Sequence, residues 1–217
     1  MALLLEHKTE GLHWAVWRMD ETPEALIALL PAACREEYGW ECRSFASVQR
    51  RQEWLSVRVL LHVMCPSAGR IAYSPHGKPF LTDRSAFIGI SHTKGYAAVI
   101  LSPSSAVGID IERYSSRVDR VASRFLRDDE VVLPFRGETL WSRLLHWSAK
   151  ETVYKCMENP DADLRKLRLS RFVPAEAGVV EVEEYATGRN QVFTVGYRLH
   201  PDFVLTWTAE NDCPKRE

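Results

Sequence analysis

Apolar positions along this chain recur with two different periods, and the change of period marks out its elements. LHWAVWRM alternates closely enough for a first strand, and ETPEALIALLP then carries helical spacing until Pro31 stops it. From REEYGWECRSF into RRQEWLSVRVLLHVM a long helical period begins near Gln49, after Gly39 and turn-forming polar residues interrupt it. YSPHGKPFLTDRS is punctuated by Pro75, Gly77 and Pro79 and reads as a loop that restrains Lys78. FIGISHTKGYAAVILS predicts a hairpin turning at Gly95, and AVGIDIE predicts a further strand.

Beyond that strand, DRVASRFLRDDEVVLPF is helical in period up to Pro134, and GETLWSRLLHWSAKETVYKCM is a second long helical candidate ended by NPDAD. The remainder returns to alternation in LRLSRFV, GVVEVEEY, QVFTVGYRL and DFVLTWTA. The pattern predicts an α+β protein, with two comparable α+β halves meeting near residues 103 to 107 as one arrangement it allows.

With 217 residues, 46% of them hydrophobic, the chain is long enough to bury a sizeable core. A net charge of -1 from 28 basic and 29 acidic side chains argues against a broad nucleic-acid-binding surface. Cys34, Cys42, Cys65, Cys156 and Cys213 are scattered, odd in number and without metal-ligand spacing, so reduced thiols are expected. The opening MALLLEHKTEG is too brief an apolar run to cross a membrane and lacks a basic leader, which predicts a cytoplasmic protein with no membrane partner. The seven tryptophans are dispersed, as packing anchors are, rather than grouped as a stacking platform for bases.

Charge placement changes the picture most around GIDIE and WSAKETVYK. On a strand, Asp110 and Glu112 leave the same face with backbones about 6 to 7 Å apart, and two such acids repel unless something cationic lies between them. A solvated edge strand would also explain the pair. In a helix, Glu151 and Lys155 share a face, beside Lys150, Trp147 and Tyr154; on its own this is an ordinary surface ion pair. Glu151 brought to the strand acids would complete a hard oxygen set suited to Mg²⁺, and Lys150 and Lys155 would then meet phosphoryl oxygens. Arg51 and Arg58 are seven apart and share a helix face, which is usually solvated surface.

HGKP at 76 to 79, ISHTKGY at 90 to 96, VGIDIE at 107 to 112, RFLRDDE at 124 to 130 and WSAKETVYK at 147 to 155 together resemble the Sfp-like 4'-phosphopantetheinyl transferases, in order and in separation. The resemblance implies a pseudodimer of two similar halves, 1–105 and 106–217, with coenzyme A bound in the cleft between them. It implies transfer of the 4'-phosphopantetheine arm from coenzyme A to a serine of an apo acyl- or peptidyl-carrier protein. By the matching motifs, Asp110, Glu112 and Glu151 would hold Mg²⁺, and Lys150 and Lys155 would contact the pyrophosphate. Ser91, His92 and Lys78 would lie toward the 3'-phosphate of coenzyme A, with Arg51 contributing.

Glu151 is the expected general base, and a monomer is the expected state. A magnesium phosphohydrolase and a non-enzymatic binding protein are the competing readings. The chain departs from the family after Lys155, where CMENPDADLRKL lacks the usual glycine loop, so its carrier-protein contacts need not follow the family path.

Overall fold

The computed structural model describes residues 2–157 and 163–210. The chain divides into two compact units, Met1–Pro103 and Ser104–Glu217, each with its own antiparallel sheet. The architecture is therefore mixed α and β with two sheet-bearing regions.

In the first unit, β1 (Leu3–Lys8) and β2 (His13–Arg18) precede three helices, α1 (Pro23–Leu29), α2 (Ala32–Cys42) and α3 (Val48–Met64). Then follow β3 (Ile71–Tyr73), β4 (Pro79–Leu81), β5 (Phe87–Thr93) and β6 (Tyr96–Ser102). The main sheet runs β1-β2-β6-β5, and β3 and β4 form a separate two-stranded ladder. Thr22 and Ser47 cap α1 and α3 by accepting the backbone N–H of Ala25 and Arg50. Leu55, Val59 and Leu60 of α3 pack in one core with Ala15, Trp17, Val99 and Leu101 of the sheet. Gly95, at φ +89°, makes the tight β5–β6 turn that aligns His92 with Ala97.

The second unit starts with β7 (Val107–Arg113), followed by a 3-10 helix (Ser116–Arg124), α4 (Leu140–Cys156) and a short 3-10 turn (Leu164–Lys166). Strands β8 (Leu167–Leu169), β9 (Ala177–Glu184), β10 (Val192–His200) and β11 (Phe203–Ala209) complete it. The sheet order is β7-β11-β10-β9-β8, so the first strand of the unit pairs with the last described one. On α4, Leu144, Leu145, Ala149 and Val153 close a core with Val180, Val182, Phe193, Val195 and Val204.

Four local expectations change. MALLLEHKTEG supplies the edge strand β1, and the stretch around YSPHGKPFL contains the β3–β4 ladder rather than loop alone. REEYGWEC is helical within α2 despite Gly39, beside whose Cα the Ile27 side chain packs. The segment from Asp119 to Pro134 is not an α-helix: the 3-10 helix ends at Arg124 and irregular chain follows. The reason is tertiary. The Glu130 carboxylate accepts the backbone N–H of Arg127 at 2.9 Å and of Leu169 at 2.7 Å, as well as the Lys150 ammonium, which holds the segment in a loop.

Among the described residues no helix is long and apolar enough to cross a membrane. Cys34, Cys42, Cys65 and Cys156 are free thiols, while Cys213 lies outside the described residues. So does residue stretch 158–162 of the glycine-free segment after Lys155.

Candidate active site on β7 and α4

The site begins with a missing side chain. A Cβ on Gly108 would lie 2.0 Å from the Thr152 carbonyl oxygen and 3.1 Å from Cys156 Cβ, so only glycine lets α4 approach β7 this closely. The two elements run in opposite directions along the seam. Trp147 meets Glu112, Ser148 meets Asp110, Thr152 lies at Gly108 and the Cys156 thiol reaches the Ala106 carbonyl.

Strand alternation does what the GIDIE pattern predicts: Ile109 and Ile111 are buried on one face, and Asp110 and Glu112 project from the other. The Lys155 ammonium donates to Asp110 Oδ1 at 2.6 Å, and Ser148 Oγ donates to Asp110 Oδ2 at 2.8 Å. The indole N–H of Trp147 donates to Glu112 Oε1 at 2.9 Å. Asp110 is almost fully buried, whereas Lys155 keeps 31% of its side chain in solvent, so the cluster has an open side.

Electrostatics ties Glu151 to the same cluster. Burial first, and then the Asp110 charge, push the Glu112 carboxyl up to about 7, with Glu151 adding to the rise. Burial and Asp110 likewise raise Glu151, while Lys155 opposes the shift. For Lys155, burial favours the neutral amine, but Asp110, Glu151 and Glu112 outweigh it and the pKa is raised. Asp110, Glu112, Glu151 and Lys155 thus form one interacting group, with one ammonium among three carboxyls.

Lys150 does not join this group, contrary to the expectation that it meets phosphate oxygens. Its side chain is fully buried, with Nζ 2.7 Å from Glu130 Oε2 and 2.6 Å from the Phe125 carbonyl. One position from Glu151, it points about 100° around the helix and serves the scaffold. Burial lowers its pKa and Glu130 opposes that shift.

In the first unit, Ser91 and His92 are consecutive on β5 and therefore face opposite ways, Ser91 buried and His92 exposed. His92 lies near α3: Arg50 NH1 is 3.0 Å from its Nε2, and Glu53 Oε2 is 3.8 Å from its Nδ1. Arg51 instead donates to the Phe45 carbonyl at 2.7 Å. Arg58 is not solvated: its guanidinium stacks 3.3 Å over the Trp54 ring and donates to the Trp54 carbonyl. Lys78 follows the Gly77 turn, its backbone held by Ser74. Sequence reasoning missed Arg50 and Glu53, and the signal it had was their position near the start of the α3 period, Glu53 three residues after Arg50.

Among the described residues, no group of three or more His, Cys, Asp or Glu side chains is arranged to hold a metal ion. Residues 106–208 match the family model of the 4'-phosphopantetheinyl transferase superfamily. The matched stretch lies within the second unit and contains Asp110, Glu112, Glu151 and Lys155. No curated protein matches the chain.

Proposed function

We propose that this protein transfers the 4'-phosphopantetheine arm of coenzyme A to a serine of an apo acyl- or peptidyl-carrier protein, as an Sfp-like enzyme whose two halves are a pseudodimer. The observation that carries this reading is the convergence of Asp110, Glu112, Glu151 and Lys155 across β7 and α4, inside the stretch that matches the superfamily.

The donor set suits magnesium in kind: three carboxyls, two of them with proton affinity raised by burial and by the charge of Asp110, are hard oxygen ligands in excess over the single ammonium. Asp110, Glu112 and Glu151 would hold Mg²⁺, which when bound neutralises charge on the pyrophosphate oxygens. Lys155, at the open side of the cluster, contacts a phosphoryl oxygen and stabilises the charge that develops there. The carrier serine oxygen attacks the β-phosphorus, and the bond from that phosphorus to the bridging oxygen breaks. Adenosine 3',5'-bisphosphate leaves with the bonding pair.

Glu151 takes the serine proton. Acting directly or through a bound water, it is suited to this role by its place in the cluster more than by its intrinsic basicity. In the first unit, the exposed His92, with Arg50 beside it, and Lys78 would meet phosphate oxygens of the donor, while Ser91, buried on the opposite face of β5, supports the strand. Lys150 and Arg51, which donate to Glu130 and to the Phe45 carbonyl, are left out of this assignment.

The deciding experiment is intact-mass analysis of a panel of apo-carrier proteins incubated with the enzyme, coenzyme A and magnesium. The expected result is a gain of about 340 Da on at least one carrier, the mass of a covalent arm. Release of coenzyme A fragments with no carrier modified would favour a phosphohydrolase, and no consumption of coenzyme A would favour a binding protein.

A further inference from the structure

Three buried hydroxyls lead from the core to Asp110. Ser148 Oγ lies 2.8 Å from Asp110 Oδ2 and 2.8 Å from Thr206 Oγ1. Thr206 Oγ1 in turn lies 2.6 Å from Thr152 Oγ1. Ser148, Thr152 and Thr206 have no solvent exposure. Thr206 sits opposite Asp110 in the β7–β11 register, and Ser148 and Thr152 are one turn apart on α4. Serine and threonine in a helix commonly turn back to a carbonyl of their own helix; these two cross to the sheet instead.

Counting protons fixes the direction of the chain. Each hydroxyl has one hydrogen. Asp110 accepts from the Lys155 ammonium on Oδ1, so the Ser148 hydrogen goes to Oδ2. The Thr206 hydrogen must then go to Ser148 Oγ, and the Thr152 hydrogen to Thr206 Oγ1. The longer 3.2 Å contact from Thr152 to the Thr206 carbonyl is left as a weak second branch. Every hydrogen points toward the carboxylate, an arrangement in which successive hydrogen bonds polarise one another.

We infer that Ser148, Thr206 and Thr152 are positioning residues, a one-way donor chain that holds Oδ2 of Asp110 and so aims Oδ1 at the Lys155 ammonium and the cation. This inference rests on the proposed transfer reaction for its functional meaning, and on the hydrogen-bond geometry for its existence.

The test compares Thr206→Val, which removes the central hydroxyl at nearly constant shape, with Thr206→Ser, which retains it. Magnesium is titrated calorimetrically into the full chain without donor or carrier, and kcat and KM for coenzyme A are measured separately. Thr206→Val is expected to weaken magnesium binding about tenfold or more and to lower kcat with little change in KM, while Thr206→Ser stays near the parent. Thr208→Val, on the same strand as Thr206, loses a hydroxyl bonded to the Thr194 carbonyl of β10 and is the control expected to alter stability alone. Parental magnesium affinity in Thr206→Val overturns the inference, as does equal impairment in Thr206→Ser. Should the parent neither bind magnesium nor transfer the arm, the transferase reading fails by itself. The donor chain is then decided by nuclear magnetic resonance: slowly exchanging Ser148 and Thr206 hydroxyl protons support it, and rapid exchange overturns it.

Discussion

Lys155 and Asp110 are joined by a 2.6 Å ion pair in which the acid is almost wholly buried and the lysine side chain is partly exposed. The pair places the cluster's positive charge at its open side, where an incoming phosphoryl group would arrive. Replacing Lys155 by Met should lower arm transfer by about a hundredfold or more, because the charge developing on the phosphate loses a preorganised partner. The variant's melting temperature should fall more at pH 8 than at pH 5.5, since Glu112, pushed up to about 7, repels Asp110 only when ionised. Equal losses at both pH values would contradict the electrostatic account.

Glu112 predicts a pH-dependent stability. Its folded value of about 7 exceeds its ordinary 4.5, so between these values the folded protein holds a proton that the unfolded chain has released. The associated stability is fully present below about pH 4.5 and is lost as pH rises through about 7, up to about 3 kcal/mol in all. Glu112→Gln should flatten this part of the curve and be more stable than the parent at pH 8 without magnesium. Denaturant melts across this range measure it, and an unchanged slope would contradict the assignment.

Glu151→Gln should reduce transfer about tenfold to ten-thousandfold at saturating donor and magnesium, while the melting temperature at pH 8 is held or raised. The raised pKa gives the sign: ionised Glu151 is held in the fold at a cost, which glutamine does not incur. Near-normal turnover by the folded variant would remove Glu151 from the chemistry.

Lys150→Met should be destabilising by about 3 to 5 kcal/mol, because it leaves the fully buried Glu130 carboxylate without its ammonium. Adding Glu130→Gln to it should recover much of the loss. The KM for coenzyme A should barely move in the double variant, whereas a lysine that binds phosphate would raise it.

Gly108→Ala should cost about 1 to 3 kcal/mol or more, since its methyl group meets the Thr152 carbonyl and the helix must shift. Arm transfer should fall along with stability, because the shift separates Glu151 from Asp110. Thermal melts and transfer assays on the same preparation check both.

Much of this site was legible because strand and helix periods are local properties. The alternation of GIDIE puts Asp110 and Glu112 on one face whatever surrounds them, and four-residue spacing does the same for Glu151 and Lys155. What the period does not encode is which neighbour a side chain meets. Arg50 and Arg51 are adjacent in the sequence, yet the first reaches His92 and the second the Phe45 carbonyl. The place of Lys150 in WSAKETVYK points to a phosphate contact, yet a partner twenty positions earlier, Glu130, decides its orientation. That same pairing overrides the helical period before Pro134, where apolar spacing instead reflects loop residues such as Phe125 buried against the unit's core.

The β7–β11 pairing also bears on how the protein is made. Asp110 emerges from the ribosome long before Thr206, its cross-strand neighbour, and β7, which pairs only with β11 in its sheet, has no strand partner until β11 is made. Closing so long a loop is slow relative to local helix formation. The acids are therefore synthesised early but assembled late, and a nascent chain halted before β11 would carry the sequence motifs without the clustered site.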